Sequence, residues 1–149
     1  MAAMKKILVP TDFSKFSDNA LKQAVEMAKQ NKAKIYLLHV IGVVQTCAVD
    51  YCFDQQTIDA LDKKSIESSE DMMQKQLKKV VNSRDVEIIS YVIKGTPYHE
   101  ILKEQEDKKI DLIVIATHGR TGLISHLLGS VAEKVVRHAK CPVFLVRGK

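Results

Sequence analysis

The segment 116–130, Ala-Thr-His-Gly-Arg-Thr-Gly-Leu-Ile-Ser-His-Leu-Leu-Gly-Ser, holds the residues of this chain best suited to chemistry, and that chemistry is anion binding. Gly119 and Gly122 lack a Cβ, so the backbone there can turn tightly and bring its N–H groups close to a ligand. Gly129 and Ser130 run straight into a helical pattern, and a helix N-terminus offers unpaired amides and a dipole that favours a phosphate. Ser130 also opens Ser-Val-Ala-Glu, the pattern of a capping box. Its hydroxyl therefore has two candidate jobs, capping its own helix and donating to a phosphate. Arg120 can neutralise phosphate charge or simply lie solvated, and His118 is a candidate polar contact. The segment is neither a Walker A loop, which needs Gly-Lys-Ser/Thr after its glycines, nor the dinucleotide fingerprint that follows a first strand.

Two other stretches offer complementary groups. In Pro10-Thr11-Asp12-Phe13-Ser14, the Asp12 carboxylate can accept hydrogen bonds from a ribose or an adenine amino group, or it can close a turn before a helix. In His39-Val40-Ile41, the Val40 backbone can present a carbonyl and an amide to the edge of a base, as any strand end can. His39, His99, His118 and His126 include no pair at the helical spacing, flanked by a carboxylate, that a metal site needs. Cys47 and Cys52 lack a second Cys/His pair nearby, and Cys141 reads as a packed residue. No Ser-His-Asp or Cys-His set can be assembled, so no catalytic residue is assigned.

The elements that must position these groups alternate in type. Short, β-branched apolar runs at 5–10, 34–40, 86–93, 111–116 and 142–146 read as strands buried on both faces. Between them lie helical patterns. Ser17 is placed as the cap of a helix burying Ala20, Leu21, Ala24, Val25 and Ala28, with Lys15, Lys22 and Lys29 on its solvent face. A long helix spans about 54–82, polar through its middle, and Thr96-Pro97 starts a third whose buried side carries Ile101 and Leu102. The last opens at Ser130 and is expected to bury Val131, Val135 and Val136. This alternation predicts an α/β fold, a doubly wound five-stranded parallel sheet with helices on both faces. Ligands of such sheets bind beyond the carboxyl ends of the strands, where the strand order reverses.

Composition sets outer bounds. At 149 residues the chain suits one domain, 1–149, and 46% hydrophobic with 28% charged residues argues against disorder. The net charge of +5 is spread in short Lys doublets, and the chain has no Trp, so nucleic acid is not expected as a partner. No apolar run approaches the roughly 18–20 residues of a membrane span. Three cysteines without a disulfide framework fit a reducing, cytoplasmic compartment. The loop 41–53 is the least patterned stretch, the kind that lies over a site or a contact.

With these residues in view, the chain resembles the ATP-binding universal stress proteins. Their motif G-x2-G-x9-G-[S/T] is matched by Ala116, Gly119, Gly129 and Ser130, with Ala116 standing where the family has its first glycine. Ile-Leu-Val-Pro-Thr-Asp-Phe-Ser, Leu-Leu-His-Val and Cys-Pro-Val-Phe-Leu-Val are also similar, so the resemblance spans essentially the whole chain. It implies an adenine nucleotide alpha hydrolase-like sheet of strand order 3-2-1-4-5. It implies ATP or another adenine nucleotide, with or without Mg, and a site of Pro10, Thr11, Asp12, Val40, Ile115, Ala116, Thr117, His118, Gly119, Arg120, Thr121, Gly122, Gly129, Ser130, Val131 and Ala132. In that site Asp12 faces ribose or base, Val40 meets adenine, and the glycine loop and helix start surround the phosphates. It further implies a homodimer formed through the edge strand at 142–147, a protein client, and at most slow hydrolysis or self-phosphorylation. Members without the motif do not bind ATP and act as interaction modules. Enzymes of the superfamily carry a Ser-Gly-Gly-x-Asp-Ser-type loop after the first strand, where this chain has Pro-Thr-Asp-Phe-Ser.

Overall fold

The computed structural model describes residues 3–43, 54–118 and 128–148. Along them run β1 (Lys6–Pro10), α1 (Lys15–Asn31), β2 (Lys34–Gly42), α2 (Gln55–Val80), β3 (Ile88–Gly95), α3 (Pro97–Asp107), β4 (Leu112–Ala116), α4 (Ser130–His138) and β5 (Val143–Val146). The strands form one parallel five-stranded sheet in the order β3-β2-β1-β4-β5. This is the fold class and strand order expected.

Burial explains why the central runs are continuously apolar. Ile7, Leu8 and Val9 of β1 are fully buried, but to opposite sides. Ile7 and Val9 pack with Leu21, Ala24 and Ala28 of α1 and Met73 of α2, while Leu8 packs with Ile101 of α3 and Val135 of α4. A strand covered by helices on both faces has no polar side to alternate with. The edges differ from the expectation of full burial: β3 and β5 are mostly half-buried, because each pairs with only one neighbouring strand among the described residues.

Helix starts depart from the sequence reading in instructive ways. Helix α1 begins at Lys15, with Ser14 rather than Ser17 as its cap: the Ser14 hydroxyl accepts the Ser17 N–H at 3.2 Å. Ser17 is thereby a buried residue of the first turn. Asp54 caps α2 by accepting the Thr57 N–H at 2.8 Å, and the first half of α2 contributes no buried residue, as its polar middle suggests. Pro97 opens α3 behind Thr96, whose hydroxyl makes no capping bond. Helix α4 is capped by Gly129, so Ser130 is its first helical residue and the expected capping box does not form. Glu133 instead pairs forward with Arg137 at 3.0 Å. The buried face of α4 is Ala132 and Val135, and Val136 is 41% exposed rather than buried.

Candidate functional site

In this strand order the chain leaves β1 toward β2 on one side and returns to β4 on the other, so the crevice beyond β1 and β4 is the switch point of the sheet. Strand β1 stops at Pro10, which pairs with Leu38, while β2 runs on to Gly42. The last bond between them is donated by Thr11 N–H to the Leu38 carbonyl at 2.8 Å. Backbone groups alternate sides along a strand, so the N–H and C=O of Val40 point the same way as those of Leu38, past the point where β1 has ended. That is the geometry needed to meet the edge of a base.

The turn after β1 is held by its own side chains. Thr11 Oγ1 accepts the Phe13 N–H at 3.1 Å, and Asp12 Oδ1 accepts the Ser14 N–H at 3.0 Å. These bonds keep Phe13 at φ +66°, a conformation that costs a non-glycine residue roughly 1 kcal/mol or more. The Phe13 ring lies 4.3 Å from that of His39, and His39 Nδ1 is 2.7 Å from the Thr11 carbonyl. A carbonyl only accepts, so Nδ1 carries the proton and the imidazole ties β2 to the turn.

Across the crevice, Thr117 donates its N–H to the Val146 carbonyl at 3.0 Å and accepts the Gly129 N–H on its own carbonyl at 2.8 Å. The second bond draws the start of α4 against the end of β4. Helix α4 has no side-chain cap, so nothing intrinsic to the helix covers the first-turn amides of Ser130, Val131 and Ala132. Thr117 Oγ1 lies 2.8 Å from His118 Nδ1, and the His118 ring is 5.7 Å from Phe16.

These walls enclose a cavity of about 220 Å³. Pro10, Thr11, Asp12, Val40, Ile115, Ala116, Thr117, His118, Gly129, Ser130, Val131 and Ala132 all line it, which gathers every expected site residue within the described range. Gly119, Arg120, Thr121 and Gly122 lie outside the described residues, as do His126, Cys47 and Cys52. Sequence reasoning missed Ser17, Leu38, His39, Pro97 and Ile101, which also line the cavity. Ser17 was hidden by its assignment as a cap. Pro97 and Ile101 arrive from α3, which only the crossover brings over the site.

The lining divides by chemistry. Leu38, Val40, Pro97, Ile101 and Ile115 make an apolar slot suited to a flat ring. Thr11, Asp12, Ser17, Thr117, His118 and Ser130 supply polar groups, with the α4 N-terminus providing positive potential at one end. Among the described residues no group of three His, Cys, Asp or Glu side chains is arranged to hold a metal ion. No described helix is long and apolar enough to cross a membrane. Cys141 lies away from this cavity, and burial raises its thiol pKa, which disfavours the nucleophilic thiolate.

The whole-chain comparisons agree with this architecture. The family model described as "Universal stress protein family" matches residues 4–147. The universal stress protein MJ0531 of Methanocaldococcus jannaschii is 39% identical over 143 residues, covering 96% of this chain and 82% of that protein. MJ0577 of the same organism is 32% identical, and its solved structure superposes with a TM-score of 0.82 over 99% of both chains. Two more distant solved relatives share the fold and are complexes with adenine nucleotides. One is a universal stress protein with cAMP (22% identity, TM-score 0.64, 98% of both chains). The other, from Archaeoglobus fulgidus, holds dAMP (21% identity, TM-score 0.57, 97% of this chain and 98% of that one). Parallel sheet, switch-point cavity and a family match along nearly the full length converge on one assignment: the chain belongs to the universal stress protein family.

Proposed function

We propose that this protein binds an adenine nucleotide, ATP foremost, in the switch-point cavity, and works as a cytoplasmic binding or switch module of the stress response rather than as a committed enzyme. The observation that carries the reading is the pairing of opposite ends in one cavity. At one end is the α4 N-terminus without a side-chain cap, and at the other are the Val40 backbone and Asp12. The base occupies the apolar slot against Val40, Asp12 accepts from ribose or base, and the phosphates lie at Ser130, Val131 and Ala132. His118 and Thr117 flank them, and the segment 116–122 completes the phosphate side, with or without Mg. The cAMP and dAMP complexes of the two distant relatives lend the ligand class support. Asp12 is the one carboxylate on the wall among the described residues, and the reading includes at most slow ATP hydrolysis or self-phosphorylation.

Native mass spectrometry and nucleotide extraction of the purified protein test the reading, with Gly129→Val as the discriminating variant. Gly129 sits at φ −58° and ψ 153°, a conformation any residue adopts, so a valine there intrudes on the cavity without straining the backbone. The expected result is co-purifying adenine nucleotide in the wild type and an ATP affinity about tenfold or more weaker in the variant. Unchanged affinity in Gly129→Val contradicts the phosphate assignment. Conversion of ATP to AMP at a substantial rate contradicts the module and favours an enzyme.

A further inference from the structure

Gln76 of α2 is 4% exposed and does not itself line the cavity, yet it bonds to residues that do. Its partners dictate which way the amide points. The Asp18 carboxylate only accepts, so Gln76 Nε2 donates to Asp18 Oδ1 at 2.8 Å, and the same nitrogen reaches Ser17 Oγ at 3.3 Å. Ser17 spends its own proton on the Ser14 carbonyl at 2.8 Å, which leaves its oxygen as the acceptor. The Gln76 carbonyl therefore faces Thr11 and accepts from its hydroxyl at 2.9 Å, sharing that donor with Ser17 Oγ at 3.0 Å. Thr11 Oγ1 is the same atom that accepts the Phe13 N–H and holds the left-handed turn carrying Asp12.

Thr11, Ser17, Asp18 and Gln76 are all buried, so these bonds act at low dielectric and each is costly to leave unmade. Toward solvent, the other Asp18 oxygen accepts from Lys79 Nζ at 2.9 Å, and that lysine side chain is 70% exposed. For packing alone, a methionine at 76 would continue the apolar face of Met73 and Val80 with no polar atoms to satisfy. The amide does something a methionine cannot: it gives the Thr11 hydroxyl an acceptor on α2 beside Ser17 Oγ, and so ties the turn that forms one cavity wall to that helix.

We propose that Gln76 is a positioning residue for the nucleotide, holding the Thr11–Asp12–Phe13 turn from α2 in the geometry that the ribose and base side of the ligand requires. This rests on the adenine-nucleotide reading above. The test measures ATP affinity by calorimetry and melting temperature by circular dichroism for the wild type, Gln76→Met, Gln76→Glu, Lys79→Met, Asp12→Ala and the Asp12→Ala/Gln76→Met double variant. Gln76→Met weakens ATP by about tenfold, and its effect largely vanishes in the Asp12→Ala background, because coupled residues do not add. Gln76→Glu keeps the oxygen that accepts from Thr11 but sets a second carboxylate against Asp18. It is therefore the less stable of the two, yet binds ATP more tightly than Gln76→Met. Lys79→Met leaves affinity unchanged. Absence of binding in the wild type overturns the nucleotide reading and this inference with it. Wild-type binding with an unchanged Gln76→Met affinity overturns this inference alone, as do affinities that merely follow melting temperature, or additive effects of Asp12 and Gln76.

Discussion

Asp12, Val40 and Ser130 show what residue types and positions disclose by themselves. A carboxylate after the first strand, a strand end and a Gly-Ser at a helix start are visible in the sequence, and the structure brings them to one cavity. Ser14 and Ser17 show the limit: serines three apart before one apolar face are equivalent by pattern, and only the bond from Ser17 N–H to Ser14 Oγ decides between them. Gln76 was illegible, because its partners Ser17 and Asp18 are 59 and 58 positions away. Asp54 gives a residue-scale prediction with a definite sign. The side-chain and backbone hydrogen bonds from Thr57 lower its pKa below the ordinary 3.8. The cap's stabilisation is therefore complete above the unfolded carboxylate pKa and is lost as pH falls through the lower folded value. Amide exchange at Thr57 should accelerate relative to mid-helix amides across that acidic window, and in Asp54→Ala it should be fast at every pH.

At the scale of elements, strand order and crossovers do the positioning. The apolar runs located the strands to within two residues at every end, and their alternation with helical patterns implied the parallel sheet. What pattern could not supply was which helix overlies which strand, and so the arrival of Pro97 and Ile101 of α3 above the site. Val136 was misassigned for a related reason, since α4 is short and its buried face is set by the register of Ala132 and Val135 against β4 residues such as Ile115. Strand β4 supports the Ala116–Thr117 end of the cavity, and Ile113 in it is fully buried. Ile113→Ala should cost about 2–5 kcal/mol of stability in chemical denaturation, the range for deleting a buried branched side chain. A loss below about 0.5 kcal/mol would mean this part of the core is not close-packed as described.

The whole molecule is electrically polar along its strands. In a parallel sheet with helical crossovers, helix C-termini collect at one end, and there Lys5 Nζ donates to the Asn31 carbonyl while Lys6 Nζ donates to that of Lys108. Part of the basic excess is thus accounted for by helix ends opposite the cavity, while helix N-termini collect at the cavity end, where an anion is favoured. At one side of the sheet β5 leaves an edge with Phe144 41% exposed, the surface through which a homodimer is proposed to form. Under that proposal the wild type is a dimer and Phe144→Glu a monomer in light scattering, with circular dichroism unchanged; a monomeric wild type contradicts the dimer, and a variant still fully dimeric places the interface elsewhere. The central claim concerns the cavity, and calorimetric titration of the wild-type protein with ATP tests it most directly. Saturable heat corresponding to one nucleotide per chain, reduced in Gly129→Val, is the predicted result. No heat with ATP, ADP, AMP or cAMP from nucleotide-free protein, and none gained by Ala116→Gly, would contradict it.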